Sequence, residues 1–436
     1  MGQALLQAGL NHTHSGNLSA LDPADPSRFW VTASGAPLGR LGAADLVRVR
    51  LADLGVEAGG RPSSETPTHR AVLGLTGARS CAHAHCLAGT LLGYEDPARP
   101  LFLRPAGRGG EDLPAARRFD PPDFWGRRLL GPVPVVSLKE GFCSSEEMVA
   151  VLSRALGESP LVLVAGHGPF CRGESLAACL RLLCVFEQSA RTALLLARAG
   201  RPATPRTPGG LAGGLAAEGC LPRPEPPAPA AGRFAAWAEA LFLLGLSAFG
   251  TGSASVRGLK GEMSFLPAAA APRGWGLRLL RLRLDEEPAG LDVALHRTVH
   301  TRTPYRACIL APAPHAIAAA AGAAGSEILP VDDEARHAGV RLLVVAAEAL
   351  SAAPEASPLP RLLQDGGGCL LLEGLGILGC GRERLAEAAL AVSVAERVCR
   401  LRAEIGLNHR LLGTPPPGRF EGGPPGGGRP PGESGC

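Results

Sequence analysis

Two stretches of this chain cannot build a core, and they divide it into blocks. Gly200 to Gly232 and Gly413 to Cys436 are crowded with Pro, Gly and Ala and lack periodic apolar residues. The first reads as a linker (200–232) and the second as a disordered tail (413–436). What remains is a block over 1–199 and another of similar length over 233–412, and the two echo each other in order. Gly9-Leu10 followed by Ser15-Gly16-Asn17-Leu18-Ser19 corresponds to Gly245-Leu246 followed by Thr251-Gly252-Ser253-Ala254-Ser255. His69 ahead of Arg79 is matched by His296 ahead of Arg306, and the apolar run and glycine turn of Leu161–Gly173 by Cys369–Gly381. Three matches in one order point to a tandem duplication.

At 436 residues each block is long enough to bury a substantial core. Apolar residues make up 46% of the chain but aromatics only 4%. The interior is therefore built from Leu, Ala and Val, which suits helices packed on a sheet and gives an α/β expectation. The net charge of +4 comes almost wholly from Arg scattered among acids, with Lys139 and Lys260 the two lysines. No dense basic run interleaves with aromatics, so nucleic acid is not expected as a partner. The twelve cysteines contain no Cys-x-x-Cys pair and read as buried thiols. Leu-rich runs are broken well before the roughly 18 apolar residues of a membrane span, so a soluble, cytoplasmic protein without membrane partners is expected.

Periodicity places the elements that matter. Leu161-Val162-Leu163-Val164 is a short apolar run ahead of glycines, as in a buried strand. Ser175 to Ala199 reads as an amphipathic helix capped by Ser175, and Ser144 to Leu156 as another, opened by Ser144 or Ser145 with Glu147 in its first turn.

The strongest chemical signal is Cys81-Ala82-His83-Ala84-His85. On a strand, residues two apart share a face, so His83 and His85 would present two imidazoles together. His167, in Ala165-Gly166-His167-Gly168 at the end of the expected strand, offers a third ligand. Three histidines and an open position suit a catalytic divalent ion. The second signal is Pro62-Ser63-Ser64-Glu65-Thr66-Pro67-Thr68-His69. Its hydroxyls and free amides at a helix start make a seat for a phosphate or carboxylate, with Glu65 beside it as a proton carrier or a capping carboxylate. Ser15-Gly16-Asn17 and Thr32-Ala33-Ser34-Gly35 are small-residue turns able to add further anion contacts.

In this order the motifs resemble the class II aldolase/adducin family, in particular its fuculose-phosphate aldolase-like members, over about residues 9 to 198. The resemblance implies two α/β domains in tandem, each a three-layer α/β/α class II aldolase-like unit. It implies that His83, His85 and His167 bind one divalent ion per chain, usually zinc. It carries phosphate binding onto Gly16, Asn17, Ser34, Gly35, Ser63 and Ser64, and the catalytic acid/base onto Glu65. The implied function is aldol cleavage of a small phosphorylated ketose through a metal-stabilised enediolate. Decarboxylation, dehydration or epimerisation of a similar sugar phosphate or sugar acid, and an adducin-like binding module without chemistry, are the alternatives. In the second block the metal strand's echo, Cys308 to His315, supplies no His-x-His pair. Leu375 stands where His167 does, and Gly290-Leu291-Asp292 replaces the Ser-Ser-Glu seat. That block is expected to be metal-free and degenerate. Since family active sites lie between subunits of a ring-shaped tetramer, the resemblance also implies a homodimer acting as a pseudo-tetramer.

Overall fold

The computed structural model describes residues 1–11, 14–75, 77–95, 103–105, 117–138, 145–201, 230–259, 261–267, 270–272, 278–288, 290–332, 335–336, 341–350 and 357–412. Most of the expected linker and all of the expected tail lie outside these residues.

The first half forms one mixed sheet of ten strands. In chain order these are β1 (Asn17–Leu21), β2 (Arg28–Thr32), β3 (Leu46–Arg50), β4 (Val56–Ala58), β5 (Ser80–His83), β6 (Leu103–Pro105), β7 (Arg117–Phe119), β8 (Val133–Val136), β9 (Leu161–Val164) and β10 (Gly168–Gly173). They lie in the order β4-β3-β2-β1-β5-β10-β9-β8-β7-β6. All pairs are antiparallel except β8–β9. The helices are α1 (Gly2–Gln7), α2 (Thr66–Leu73), α3 (Leu87–Leu92), α4 (Phe124–Leu129), α5 (Glu146–Glu158) and α6 (Leu176–Arg198).

Alternation along the central strands sets the layers. Leu161 and Leu163 join the core under α3 and α6, whereas Val162, Val164 and Phe170 pack with Met148, Leu152 and Leu156 of α5 and Val72 of α2. A period of two feeding two different cores is what a sheet covered on both faces requires. The helix starts are also locally specified. Ser175 accepts from Ala178 N at 3.2 Å, and Ser145 from Met148 N at 3.1 Å. One expectation changes. The glycine turn after Leu161–Val164 closes an antiparallel hairpin into β10, and only β10 feeds α6, because Gly166 and Gly168 sit at φ of 73° and 141° and turn the chain back.

The second half repeats the plan with eight strands: β11 (Ser253–Arg257), β12 (Glu262–Pro267), β13 (Leu280–Arg283), β14 (Ala307–Ala311), β15 (Glu327–Ile328), β16 (Leu342–Val345), β17 (Cys369–Leu372) and β18 (Gly376–Gly381). Their order, β13-β12-β11-β14-β18-β17-β16-β15, follows that of the first sheet, with β14 in the place of β5. Its helices are α7 (Ala230–Leu243), α8 (Leu291–Arg302), α9 (Pro314–Ala320), α10 (Leu359–Asp365) and α11 (Leu385–Leu412). The duplication is structural: Asn17 pairs with His83 across β1–β5, and Ser253 with Leu310 across β11–β14. The two halves share one continuous core, in which α6 of the first lies on α9 of the second. No described helix is long and apolar enough to cross a membrane.

Candidate active site

The site forms where β1, β5 and the β9–β10 turn meet. β5 ends at His83, so His85 lies beyond the strand and not on it, a departure from the strand geometry that the spacing suggests. The chain leaves the sheet after His83 because Ala84 N still bonds Pro169 O at 3.2 Å while His85 N is taken by Asn11 Oδ1 at 2.8 Å. The two imidazoles nevertheless converge, with Nε2 atoms 3.1 Å apart. His167, on the β9–β10 turn, stacks on His83 with ring centroids 4.6 Å apart and planes within 5°. Ligand atoms of His83, His85 and His167 all lie within 4.8 Å of one another, and no other such group of three occurs among the described residues.

This geometry fits a divalent ion. Two nitrogens on a tetrahedral zinc, each at about 2.0–2.1 Å, stand roughly 3.3 Å apart. His83 Nδ1 faces Pro169 O at 3.0 Å and donates to it, which leaves a lone pair on Nε2. Burial presses the His83 pKa down to about 3, against the pull of nearby Glu65, so the ring stays neutral. Phe170 stacks under it at 4.0 Å and fixes its plane.

Glu65 is the site's buried carboxylate, 2% exposed. It occupies the N-cap position of α2, yet its side chain makes no cap bond. Its Oε2 accepts from Asn17 Nδ2 at 2.6 Å, and its Oε1 lies 3.0 Å from His167 Nε2. Burial opposes its ionisation, but His83, the His167 and Asn17 bonds, and His69 together hold the carboxyl well below the usual range. Asn17 Oδ1 contacts His69 Nε2, and Ser19 Oγ contacts His69 Nδ1 at 2.6 Å. Thus Ser19, His69, Asn17 and Glu65 form one buried chain ending beside the histidines.

The turns expected to seat an anion are brought side by side. A bridge joins Ala33 to Pro62, Ser34 N bonds Arg61 O at 2.9 Å, and Ser63 N bonds Thr32 O at 3.1 Å. The Ser34-Gly35 and Ser63-Ser64 turns therefore adjoin. Gly16, at φ 77°, lies against the same strand end: a Cβ there would sit 2.5 Å from His83 O. Asn17 differs from the rest, because both ends of its carboxamide are engaged within the protein.

Sequence reasoning did not single out Asn11, Pro169 or Phe170. Asn11 fixes the His85 backbone, and its Nδ2 is buried without a partner. Nothing local in the sequence marks it. Glu187 supports the site from behind. Its carboxylate accepts from Ala88 N at 3.0 Å and Gly89 N at 2.9 Å, capping α3 directly after the histidines.

Residues 1–194 and 233–403 both match the class II aldolase and adducin N-terminal domain family. The chain belongs to that family. It is 30% identical over 173 residues to methylthioribulose-1-phosphate dehydratase from Leptospira biflexa serovar Patoc, a match spanning 37% of this chain and 78% of that protein. Against the methylthioribulose-1-phosphate dehydratase of Acidiphilium cryptum the identity is 32% over 170 residues, spanning 38% of this chain and 72% of that protein. Among solved structures, L-fuculose-1-phosphate aldolase from Thermus thermophilus is 30% identical, covering 46% of this chain and 91% of that one, with a TM-score of 0.37.

In the second half of this family member the site is dismantled. Leu310 takes the strand position of His83, Pro312 that of His85, and Leu375 that of His167 between Gly374 (φ 73°) and Gly376 (φ 116°). The inner scaffold survives: His296 bonds Ser255 Oγ through Nδ1 at 2.6 Å and Ser253 Oγ through Nε2 at 2.9 Å, as His69 does with Ser19 and Asn17.

Proposed function

We propose that the first domain is a divalent-metal lyase that dehydrates a small ketose phosphate, with His83, His85 and His167 holding the ion and Glu65 moving the proton. The observation that carries this reading is the placement of a buried, ionised carboxylate 3.0 Å from one of three convergent histidines. Dehydration stands ahead of aldol cleavage because the relatives matched over most of their length bear the name of a sugar-phosphate dehydratase. Aldol cleavage of a phosphorylated ketose is the second reading, in keeping with membership of the class II aldolase and adducin N-terminal domain family.

A bound divalent ion, zinc by family habit, would polarise the substrate carbonyl and acidify the neighbouring carbon. The chain's own residues do the rest. Asn17 holds Glu65 by Oε2, and Oε1, beside His167 Nε2 at 3.0 Å, faces the site as the atom that takes the carbon proton. Loss of a hydroxyl from the next carbon, leaving with a proton as water, completes the dehydration. Asn17 is accordingly a positioning residue, and Gly16, Ser34, Gly35, Ser63 and Ser64 form the seat for the phosphate. Phe170 and the core beneath His83 exclude water from that side. The second domain, with leucine and proline at the ligand positions, binds no ion and serves as a scaffold.

Incubating the zinc-loaded protein with a panel of ketose 1-phosphates tests this. A dicarbonyl product trapped by a 1,2-diamine is expected. An aldehyde fragment without dicarbonyl would transfer the assignment to the aldolase reading, and no turnover with any ketose phosphate would refute both.

A further inference from the structure

A cavity of about 270 Å³ opens at the seam between the halves, where the end of α6 meets α9, β15 and α11. It shares no residue with the three-histidine site. Leu195, Ala318 and Ile328 give it apolar walls, and Arg201, Arg402 and His315 bring polar groups to the same space. Small-molecule sites commonly enclose roughly 300–1,000 Å³, so the cavity suits a small molecule and not a polymer.

Two of its polar groups are additions peculiar to the second half. Glu187 accepts from Ala88 N and Gly89 N, as Glu396 does from His315 N at 3.1 Å and Ala316 N at 2.9 Å. These matched caps set the equivalence of the halves. His315 stands where the first half has Ala88, and Arg402 follows Glu396 by the same interval as Ala193 follows Glu187. Both alanines are buried. A histidine and an arginine have thus replaced two core alanines, and both line one cavity.

The charges there are held by neutral acceptors. Arg201 donates through Nη1 to the carbonyls of Ala318, Ala319 and Ala321 at 3.2, 2.9 and 2.7 Å, at the end of α9. Arg402 donates through Nη1 to Leu329 O at 2.9 Å. Among the described residues neither guanidinium bonds a carboxylate, and each has further N–H groups to offer. His315 donates through Nδ1 to Glu396 Oε1 at 2.7 Å, which leaves Nε2 for a ligand. Arg198 also lines the space, and Glu404 is the one acidic side chain in the lining. Guanidinium groups beside apolar walls, without a counter-charge, favour an anion.

We propose that this cavity binds a small organic anion with an apolar body, its acid group held by Arg201, Arg402 and His315 and its body laid against Leu195, Ala318 and Ile328. Because the walls come from both halves, an occupant ties the halves together and stabilises the fold by mass action. Neither the metal ligands nor Glu65 takes part.

Calorimetric titration of the full chain with octanoate, and with the uncharged octanol, tests this. The chain is first stripped of metal with a chelator, so that no ion can hold the carboxylate, and His83→Ala should give the same values. Octanoate should bind saturably, at about one per chain, and at least roughly tenfold more tightly than octanol, the scale of a charged hydrogen bond. Arg402→Gln should remove most of that preference and leave the affinity for octanol unchanged. Ala403→Trp adds an indole at an exposed position of the lining, and should weaken both ligands without lowering the urea midpoint. Saturating octanoate should raise the urea midpoint of the native chain but not that of Ala403→Trp. Absence of saturable binding, equal affinity for octanoate and octanol, or binding untouched by both variants would overturn the proposal.

Discussion

Asn17→Ala removes the one side chain that ties the proton carrier to its scaffold. Asn17 donates to Glu65 Oε2 at 2.6 Å and contacts His69 Nε2 with its oxygen, and all three residues are buried. A hydrogen bond to a buried charge contributes about 1.5–3 kcal/mol, and leaving a buried ring nitrogen unpaired costs about 1–3 kcal/mol. The sum is a loss of roughly 2.5–6 kcal/mol, read from the urea midpoint at constant slope. The second half supplies an internal control, because Ser253 stands at the equivalent position and holds His296 Nε2 at 2.9 Å. Asn17→Ser should therefore restore the His69 contact, and about 1 kcal/mol of stability, without restoring the bond to Glu65. In both variants the metal content should remain, while turnover falls at least about tenfold as Glu65 loses its orientation. A stability loss below about 1 kcal/mol for Asn17→Ala, or indistinguishable Ala and Ser variants, would refute the coupling of these residues.

Glu65→Gln keeps the shape and the Asn17 contact but removes the base, so metal content should hold while kcat falls by about 100-fold; unchanged kcat in steady-state assays would reduce Glu65 to a structural role. Burial holds His296 down to about 4 and His300 to about 3. The unfolded chain binds protons there that the fold excludes, so stability is full above about pH 6.5 and falls as pH drops toward 4, by roughly 3 kcal/mol for His296 alone. Urea midpoints from pH 7 to 4 should show this slope, and His296→Gln should make it shallower while the His300 share remains. Residues 1 to 200 expressed alone should lose activity and aggregate, because α6 then exposes the face that includes Leu195 and Leu196; a stable, fully active fragment in gel filtration would show that the second half is dispensable.

The duplication was readable because the fold demands the same small residues twice: glycines at positive φ on either side of the third-ligand turn, and a histidine held between alternate residues of the first strand. The strand Leu161–Val164 and the Ser175 cap were local enough to read directly. The convergence of the three histidines followed from spacing and family order, although His85 reaches its place by leaving the strand. Asn11, Phe170 and the grip of Asn17 on Glu65 were not legible, since each depends on contacts between segments far apart in the chain. The interface between the halves was equally hidden. Leu91 and Ala318 are both ordinary helix residues in sequence, and only the fold shows one open and the other covered.

Three convergent histidines stand in the first half, and leucine and proline take their places in the second. Metal analysis of the zinc-loaded full-length protein and of its His83→Ala variant addresses this most directly, since a site with three protein ligands loses its chelate when one is removed. About one zinc per native chain and close to none in the variant are expected. Two zinc ions per native chain, or full occupancy in His83→Ala, would contradict it.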